Sequence, residues 1–216
     1  MKIELHIFTN CTKNAPKTDI IEKTYNSFVE TFGKIDYKIW LDKNPEIDKL
    51  YNYEHNLNQR FGLINITKSL SDGYIRAIKG SKADYLFMLE HDWSFTTKTA
   101  SIQHGLIDFM NIMYKNEIYH LRFNKRKNEP QKWDKTLEEK FLIEKKFWYC
   151  KTPVLSNNPH IINRVMYRDF IRKGFIKVLP GSHGIEEIIS KQKHLSGAIY
   201  GPLGYPATVK HIDGRK

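Results

Sequence analysis

The triplet Glu90-His91-Asp92 sets two carboxylates one residue apart, directly after the apolar run Tyr85-Leu86-Phe87-Met88-Leu89. Hard cations such as Mg²⁺ and Mn²⁺ take oxygen ligands, and a site built on one or two carboxylates leaves positions open for water and a substrate phosphate. Acid-x-acid pairs also occur on solvated loops, where they carry no chemistry. What distinguishes this pair is its place, because a buried strand that ends in it would deliver both acids to one rim of a sheet. Phosphate charge could be met by Arg76 or by Lys125-Arg126, since a guanidinium fork matches phosphate oxygens. Arg76 equally suits the solvent side of a helix.

The elements that must position these residues read as an α/β chain. Lys2 to Thr9 is predicted as a first strand, and Thr18 or Asp19 can cap a helix whose apolar residues Ile20, Ile21, Tyr25, Phe28, Val29 and Phe32 recur at helical spacing up to Gly33. Tyr37 to Leu41 is a second strand, ended by Asp42 and the breaker Asn44-Pro45, and the period is unclear from Tyr51 to Gly62. The spacing predicts a helix over Asn65 to Lys79, then the run Tyr85 to Leu89 as a central parallel strand covered on both faces. Open α/β sheets bind ligands at the carboxyl ends of such strands.

Beyond it, Ser101 to Tyr114 is predicted helical and Tyr119 to Phe123 a strand. Glu129 to Asp134 is turn-rich, Phe141 to Tyr149 is predicted as an irregular strand pair, and Ile161 to Arg172 and Ile185 to Lys193 as helices. Ser156 to His160 could shape a ligand pocket in which Trp133, Trp148 and Tyr149 stack on a bound ring, or could be a helix cap beside ordinary core aromatics.

The 216 residues suit one domain with a full core, and no repeat or linker divides them. No apolar stretch approaches the ~20 residues that cross a bilayer. The start Met1-Lys2-Ile3-Glu4 lacks a secretory pattern, so the expected location is the cytoplasm. Cys11 and Cys150 are expected as reduced thiols. A net charge of +11 favours an anionic partner without naming it: a nucleotide diphosphate, an acidic membrane surface and nucleic acid all suit it.

The segment from Ser71 through Gly80 to Asp92 resembles the GT-A glycosyltransferases, especially family 2-like enzymes of bacteria and large viruses. There, a helix with small and basic residues leads through a short turn to an apolar strand ending in an Asp-x-Asp metal motif; here Glu90 stands in the first position. The resemblance implies a GT-A, Rossmann-like sheet, mixed but mostly parallel, with residues 1–93 binding a nucleotide sugar and 94–216 binding the acceptor. It implies that Asp92 holds Mn²⁺ (or Mg²⁺) at the donor diphosphate, that Glu90 binds the metal through water or touches the ribose, and that His91 borders the same site. Thr9, Asn10, Cys11 and Asp42 are its nucleoside positions. Two later stretches look like family motifs in the right order. Glu187, or second Glu186, after Gly181-Ser182-His183-Gly184, matches the general base of inverting members; His211 matches a late metal-binding histidine. A helix start can hold such a carboxylate in place, although it also explains the acids by electrostatics alone. An imidazole ligand favours Mn²⁺.

The expected activity is transfer from a nucleotide-diphosphate sugar, a UDP-sugar foremost, to a glycan, glycoprotein or glycolipid hydroxyl. One alternative is a sugar nucleotidyltransferase, which calls for a Gly-rich phosphate loop near the first strand, whereas Thr9 to Lys17 contains no glycine. The other is a metal-dependent nuclease or basic nucleic-acid-binding protein. No finger, helix-turn-helix or aromatic RNA-binding signature accompanies the charge, so nucleic acid is not the expected partner.

Overall fold

A computed structural model describes residues 1–11, 17–96, 102–132, 136–176 and 196–212. The chain first alternates strand and helix: β1 (Ile3–Asn10), α1 (Asp19–Phe32), β2 (Tyr37–Asp42), α2 (Pro45–Tyr51), α3 (Tyr53–Phe61), β3 (Ile64–Thr67), α4 (Leu70–Gly80) and β4 (Tyr85–Glu90). The later elements are β5 (Trp93–Phe95), α5 (Leu106–Lys115), β6 (His120–Arg122), β7 (Glu138–Leu142), β8 (Phe147–Thr152), β9 (His160–Asn163), α6 (Arg164–Arg172), β10 (Gly197–Tyr200) and β11 (Val209–His211).

Nine strands form one sheet in the order β3-β2-β1-β4-β9-β6-β10-β8-β7, and β5 pairs with β11 in a separate ribbon. The β3-β2-β1-β4 half is parallel throughout, as connections that cross back through α1, through α2 and α3, and through α4 allow. In the other half only β6 and β10 are parallel; β9 runs antiparallel between β4 and β6, and β8 and β7 close the edge antiparallel. The sheet is therefore mixed, and its parallel character is confined largely to the first half.

Both faces are buried, which explains the unbroken apolar run of β4. Phe28, Phe87, Phe109 and Phe123 pack on one face, and Phe8, Tyr74, Met88 and Tyr167 on the other. Helix α4 approaches β1 closely because Gly73 has no side chain: a Cβ there would lie 3.3 Å from the Phe8 ring and 3.4 Å from Thr67 Cγ2. The second face also buries two stacked imidazoles, His120 and His160, with centroids 4.3 Å apart. His120 Nδ1 lies 2.8 Å from the Tyr167 hydroxyl and His160 Nδ1 lies 2.7 Å from the Asn158 carbonyl. Cys11 and Cys150 are both buried and not bonded to each other.

Four predicted elements differ from the structure. Asn44-Pro45 starts α2 rather than only ending β2: Asn44 Oδ1 accepts from the Ile47 amide, and proline fits the first helical turn, where no partner awaits its missing N–H. Ile64 to Thr67 is a strand, and the helix begins only at Leu70, capped by Ser69 Oγ, which accepts from the Asp72 amide. Helix α5 begins at Leu106 after Gly105, so Ile102 precedes it. His160 to Asn163 is strand β9, and only Arg164 onward is helical. The predicted helix Ile185 to Lys193, with Glu186 and Glu187, and Trp133 lie outside the described residues. Among the described residues no helix is long and apolar enough to cross a membrane.

Candidate active site

Parallel pairing brings the ends of three strands to one rim. Asn10 at the end of β1 lies beside Asp42 at the end of β2, and Phe8 lies beside Glu90 at the end of β4. A cleft of about 220 Å³ opens there, lined by Thr9, Asn10, Asp42, Glu90, His91 and Asp92 among others. Six of the residues expected at the site thus line one cleft. Asn10 and Asp42 also line an adjoining, wider cleft of about 690 Å³ with Cys11 and Lys43, so the space continues outward past the β2 end.

The turn after β4 is pinned on both sides. The His91 amide donates to the Phe8 carbonyl at 2.8 Å, and the His91 carbonyl accepts from Thr24 Oγ1 on α1 at 2.5 Å. Asp92 is 1% exposed, a burial that a carboxylate tolerates only with compensating partners. One is supplied from the far end of the chain: β11 pairs antiparallel with β5, with His211 opposite Trp93. His211 Nδ1 then lies 3.5 Å from Asp92 Oδ2, and the Ile212 amide donates to the Asp92 carbonyl at 2.9 Å. The His211 ring packs on Trp93 with centroids 3.8 Å apart, and Lys125 Nζ lies 5.8 Å from the Trp93 centroid.

The loop that delivers β11 is held by Asn128, which is buried. Its side-chain amide donates to the carbonyls of Tyr200, Gly201 and Pro202, and its backbone bonds Gly204 and Tyr205. Asn124, four residues earlier, is bonded to the Thr208 amide and hydroxyl at the foot of β11. Gly201, at φ 93°, has no room for a side chain beside Tyr205, which allows the tight turn around Asn128.

Of the three expected metal ligands, Asp92 and His211 meet, and Glu90 lines the same cleft. Among the described residues no three His, Cys, Asp or Glu side chains form a complete cage. A buried carboxylate next to an imidazole still fits Mn²⁺, provided substrate phosphates and water fill the remaining positions, as they do in sites of this kind.

The other expected residues are placed as follows. Thr9 is buried, and its hydroxyl is 2.7 Å from that of Tyr53 on α3, a phenol that burial pushes up to about 12. Thr9 therefore anchors α3 as well as lining the cleft. Cys11 is buried beside the wider cleft, and burial raises its thiol pKa. Arg76 lies outside both clefts: its guanidinium donates to the Ile66 carbonyl and sits 5.6 Å from the Trp40 ring centroid.

Sequence reasoning missed Ser69 and Leu70, which line the cleft at the amino end of α4. A helix start directs unpaired amides and a partial positive charge toward an anion. Ser69-Leu70-Ser71-Asp72 carries a helix-start signal in its Ser and Asp spacing, hidden by the strand that precedes it.

No protein-family model matches the sequence, and no curated protein matches it. Solved structures do. Residues 1–349 of S. aureus TarS align with a TM-score of 0.56 at 12% identity, over 97% of this chain and 60% of that one. GalNAc-T7, solved with UDP, GalNAc and Mn²⁺, aligns with a TM-score of 0.56 at 10% identity over 97% of this chain and 43% of that one. The present chain thus spans less than two thirds of either. CMP:2-keto-3-deoxy-manno-octonic acid synthetase, solved with CTP, aligns with a TM-score of 0.52 at 10% identity, over 93% of this chain and 89% of that one. This likeness, over a mixed sheet whose β3-β2-β1-β4 half is parallel, gives the chain the GT-A fold.

Proposed function

We propose that the protein is a metal-dependent glycosyltransferase that moves a sugar from a nucleotide-diphosphate sugar to a hydroxyl acceptor with inversion. The observation that carries this reading is the contact of Asp92 with His211 at the mouth of a cleft whose other wall is Asn10 and Asp42. A nucleoside at Asn10 and Asp42 would direct its diphosphate toward Asp92, with the amino end of α4 facing the phosphates. A uridine donor is favoured because TarS was solved with UDP and with UDP-GlcNAc, and GalNAc-T7 with UDP.

In this mechanism Asp92 and His211, with Glu90 directly or through water, would hold the divalent ion. When bound, the ion offsets the negative charge that grows on the leaving diphosphate. Lys125 adds positive charge on the same side. Glu187, or failing it Glu186, removes the acceptor proton as the acceptor oxygen attacks the anomeric carbon. The bond to the diphosphate oxygen breaks with its electron pair passing to that oxygen, and the configuration inverts.

A nucleotidyltransferase is the second reading, favoured by the 89% coverage of the octonic acid synthetase. Against it stands the absence of glycine from Thr9 to Lys17.

A thermal-shift screen of UDP, GDP, CMP and dTDP and their sugars, with Mn²⁺, Mg²⁺ or chelator, tests the proposal. A ligand at 100 times its Kd adds about 2.7 kcal/mol of stability. Stabilisation by one nucleoside diphosphate only with metal, followed by its release from the nucleotide sugar on turnover, is expected. Pyrophosphate release from a nucleoside triphosphate, or cleavage of DNA with Mg²⁺, would replace it with one of the alternatives.

A further inference from the structure

The positive charge is not shared between the two halves of the chain. Residues 1–93 carry 13 Lys and Arg and 13 Asp and Glu, whereas residues 94–216 carry 22 against 11. The half that holds the nucleotide cleft is neutral, and the whole excess lies in the other half. A dianionic donor therefore does not account for it.

The sheet topology brings part of this charge to the rim of the site. Strands β6 and β10 run in the same direction as β4, so the Lys125-Arg126-Lys127 loop and Gly201 emerge on the edge where Glu90 ends. Strand β8 runs the other way and begins on that edge, where the Trp148 carbonyl accepts from the Gly201 amide. Strand β7 ends there too, and Lys145 and Lys146 lie in the turn between them. Lys145 is bonded to Asp108; Lys146 and Lys125 have no ion pair with a carboxylate among the described residues.

Two residues after Lys146 comes Trp148 on β8, whose register partner on β7 is Phe141. Phe141 and Trp148 stack with centroids 4.3 Å apart, yet remain 41% and 37% exposed. A large aromatic face left in water is costly, and it suits the C–H face of a sugar ring. At about 4.8 Å per strand, the four steps from β4 to β8 place Trp148 roughly 19 Å along the rim from the β4 end. That distance exceeds a single sugar.

We infer that the acceptor is an anionic glycan chain lying along this rim, with its reacting end at Asp92 and a more distant sugar on Trp148 and Phe141. The inference rests on the glycosyltransferase reading and adds the acceptor class to it. Carboxylate-bearing and phosphate-bearing glycans share the required chemistry.

The test measures binding of the intact protein to oligogalacturonate, phosphorylated dextran, neutral dextran of equal length and a single-stranded DNA 20-mer, with and without added salt. At least one anionic glycan should bind 10-fold or more tighter than neutral dextran, lose that advantage in high salt, and weaken at least 5-fold in both Lys146→Asn and Trp148→Ala. Which of the two binds identifies the source of the charge. UDP stabilisation with Mn²⁺ should be unchanged in both variants, and it reports on the donor reading separately. Phe141→Ala provides a second aromatic variant should Trp148→Ala lower the melting point. Equal binding of neutral and anionic dextran, DNA binding as tight as either anionic glycan, or variants without effect would each overturn the inference.

Discussion

The His211 imidazole lies 3.5 Å from the Asp92 carboxylate because the β5-β11 ribbon folds the end of the chain onto the turn that follows the central strand. Asp92 alone is a short-range feature of sequence. Its meeting with His211 puts a carboxylate and an imidazole together, the oxygen and nitrogen pair that the proposed metal site calls for, beside a cleft that Asn10 and Asp42 also line.

Removal of either donor should separate their contributions. Asp92→Ala is expected to weaken Mn²⁺-dependent UDP binding by on the order of 100-fold, about 3 kcal/mol, while circular dichroism shows a folded chain. His211→Ala should cost less and also erase the preference for Mn²⁺ over Mg²⁺, because only Mn²⁺ gains from the imidazole. Calorimetric titration of UDP with each metal reads both effects; full Mn²⁺ dependence in Asp92→Ala would remove Asp92 from the metal site.

Glu187→Ala should leave donor binding intact and lower sugar transfer by roughly 10²–10⁴-fold, the usual contribution of a general base. The measurement is turnover beside UDP affinity. Unchanged turnover in Glu187→Ala together with loss in Glu186→Ala would move the base by one residue.

Asn128 acts on the site through the loop it holds. Asn128→Ala leaves the carbonyls of Tyr200, Gly201 and Pro202 without that donor, at a cost of about 1–3 kcal/mol in chemical denaturation. Because the same loop leads into β11, the Mn²⁺-dependent part of UDP stabilisation should fall more than the metal-independent part. An equal fall in both would reduce Asn128 to a purely structural role.

The stacked histidines should make the fold acid-sensitive. Burial holds His160 at about 4 and pushes His120 well below its ordinary value of 6.5. Below pH 6.5 the unfolded imidazoles bind protons that the folded ones refuse, so stability falls as the pH drops from 6.5 toward 4. Each such group contributes about 1.4 kcal/mol per pH unit. His160→Phe should keep the ring packing and remove its share of this slope, read from urea midpoints between pH 7 and 5; an unaltered slope would assign the acid sensitivity elsewhere.

Much of the first half was legible because its signals are local. The continuous apolar run of β4, bounded by polar residues after a helix, suits a strand buried on both faces, and the acids that follow it then emerge at its carboxyl end. Asn10 and Asp42 were predictable neighbours for the same reason, since two parallel strands of one sheet end on one rim. The +11 charge and its concentration after residue 93 are likewise properties of sequence alone.

Tertiary structure decided what local periodicity leaves degenerate. His160-Ile161-Ile162-Asn163 is apolar enough for either a helical turn or a strand, and the open hydrogen-bonding edges of β4 and β6 on either side make it a strand. Ser69 reached the cleft because β3 ends where it does, and Arg76 turned away because Ile66 and Trp40 offer it a carbonyl and a ring face. The meeting of His211 with Asp92 depends on a ribbon closed by residues far apart in the chain, and on Asn128 holding the loop between them. Periodicity reports which face of an element is buried; only the pairing of distant elements determines which side chains meet.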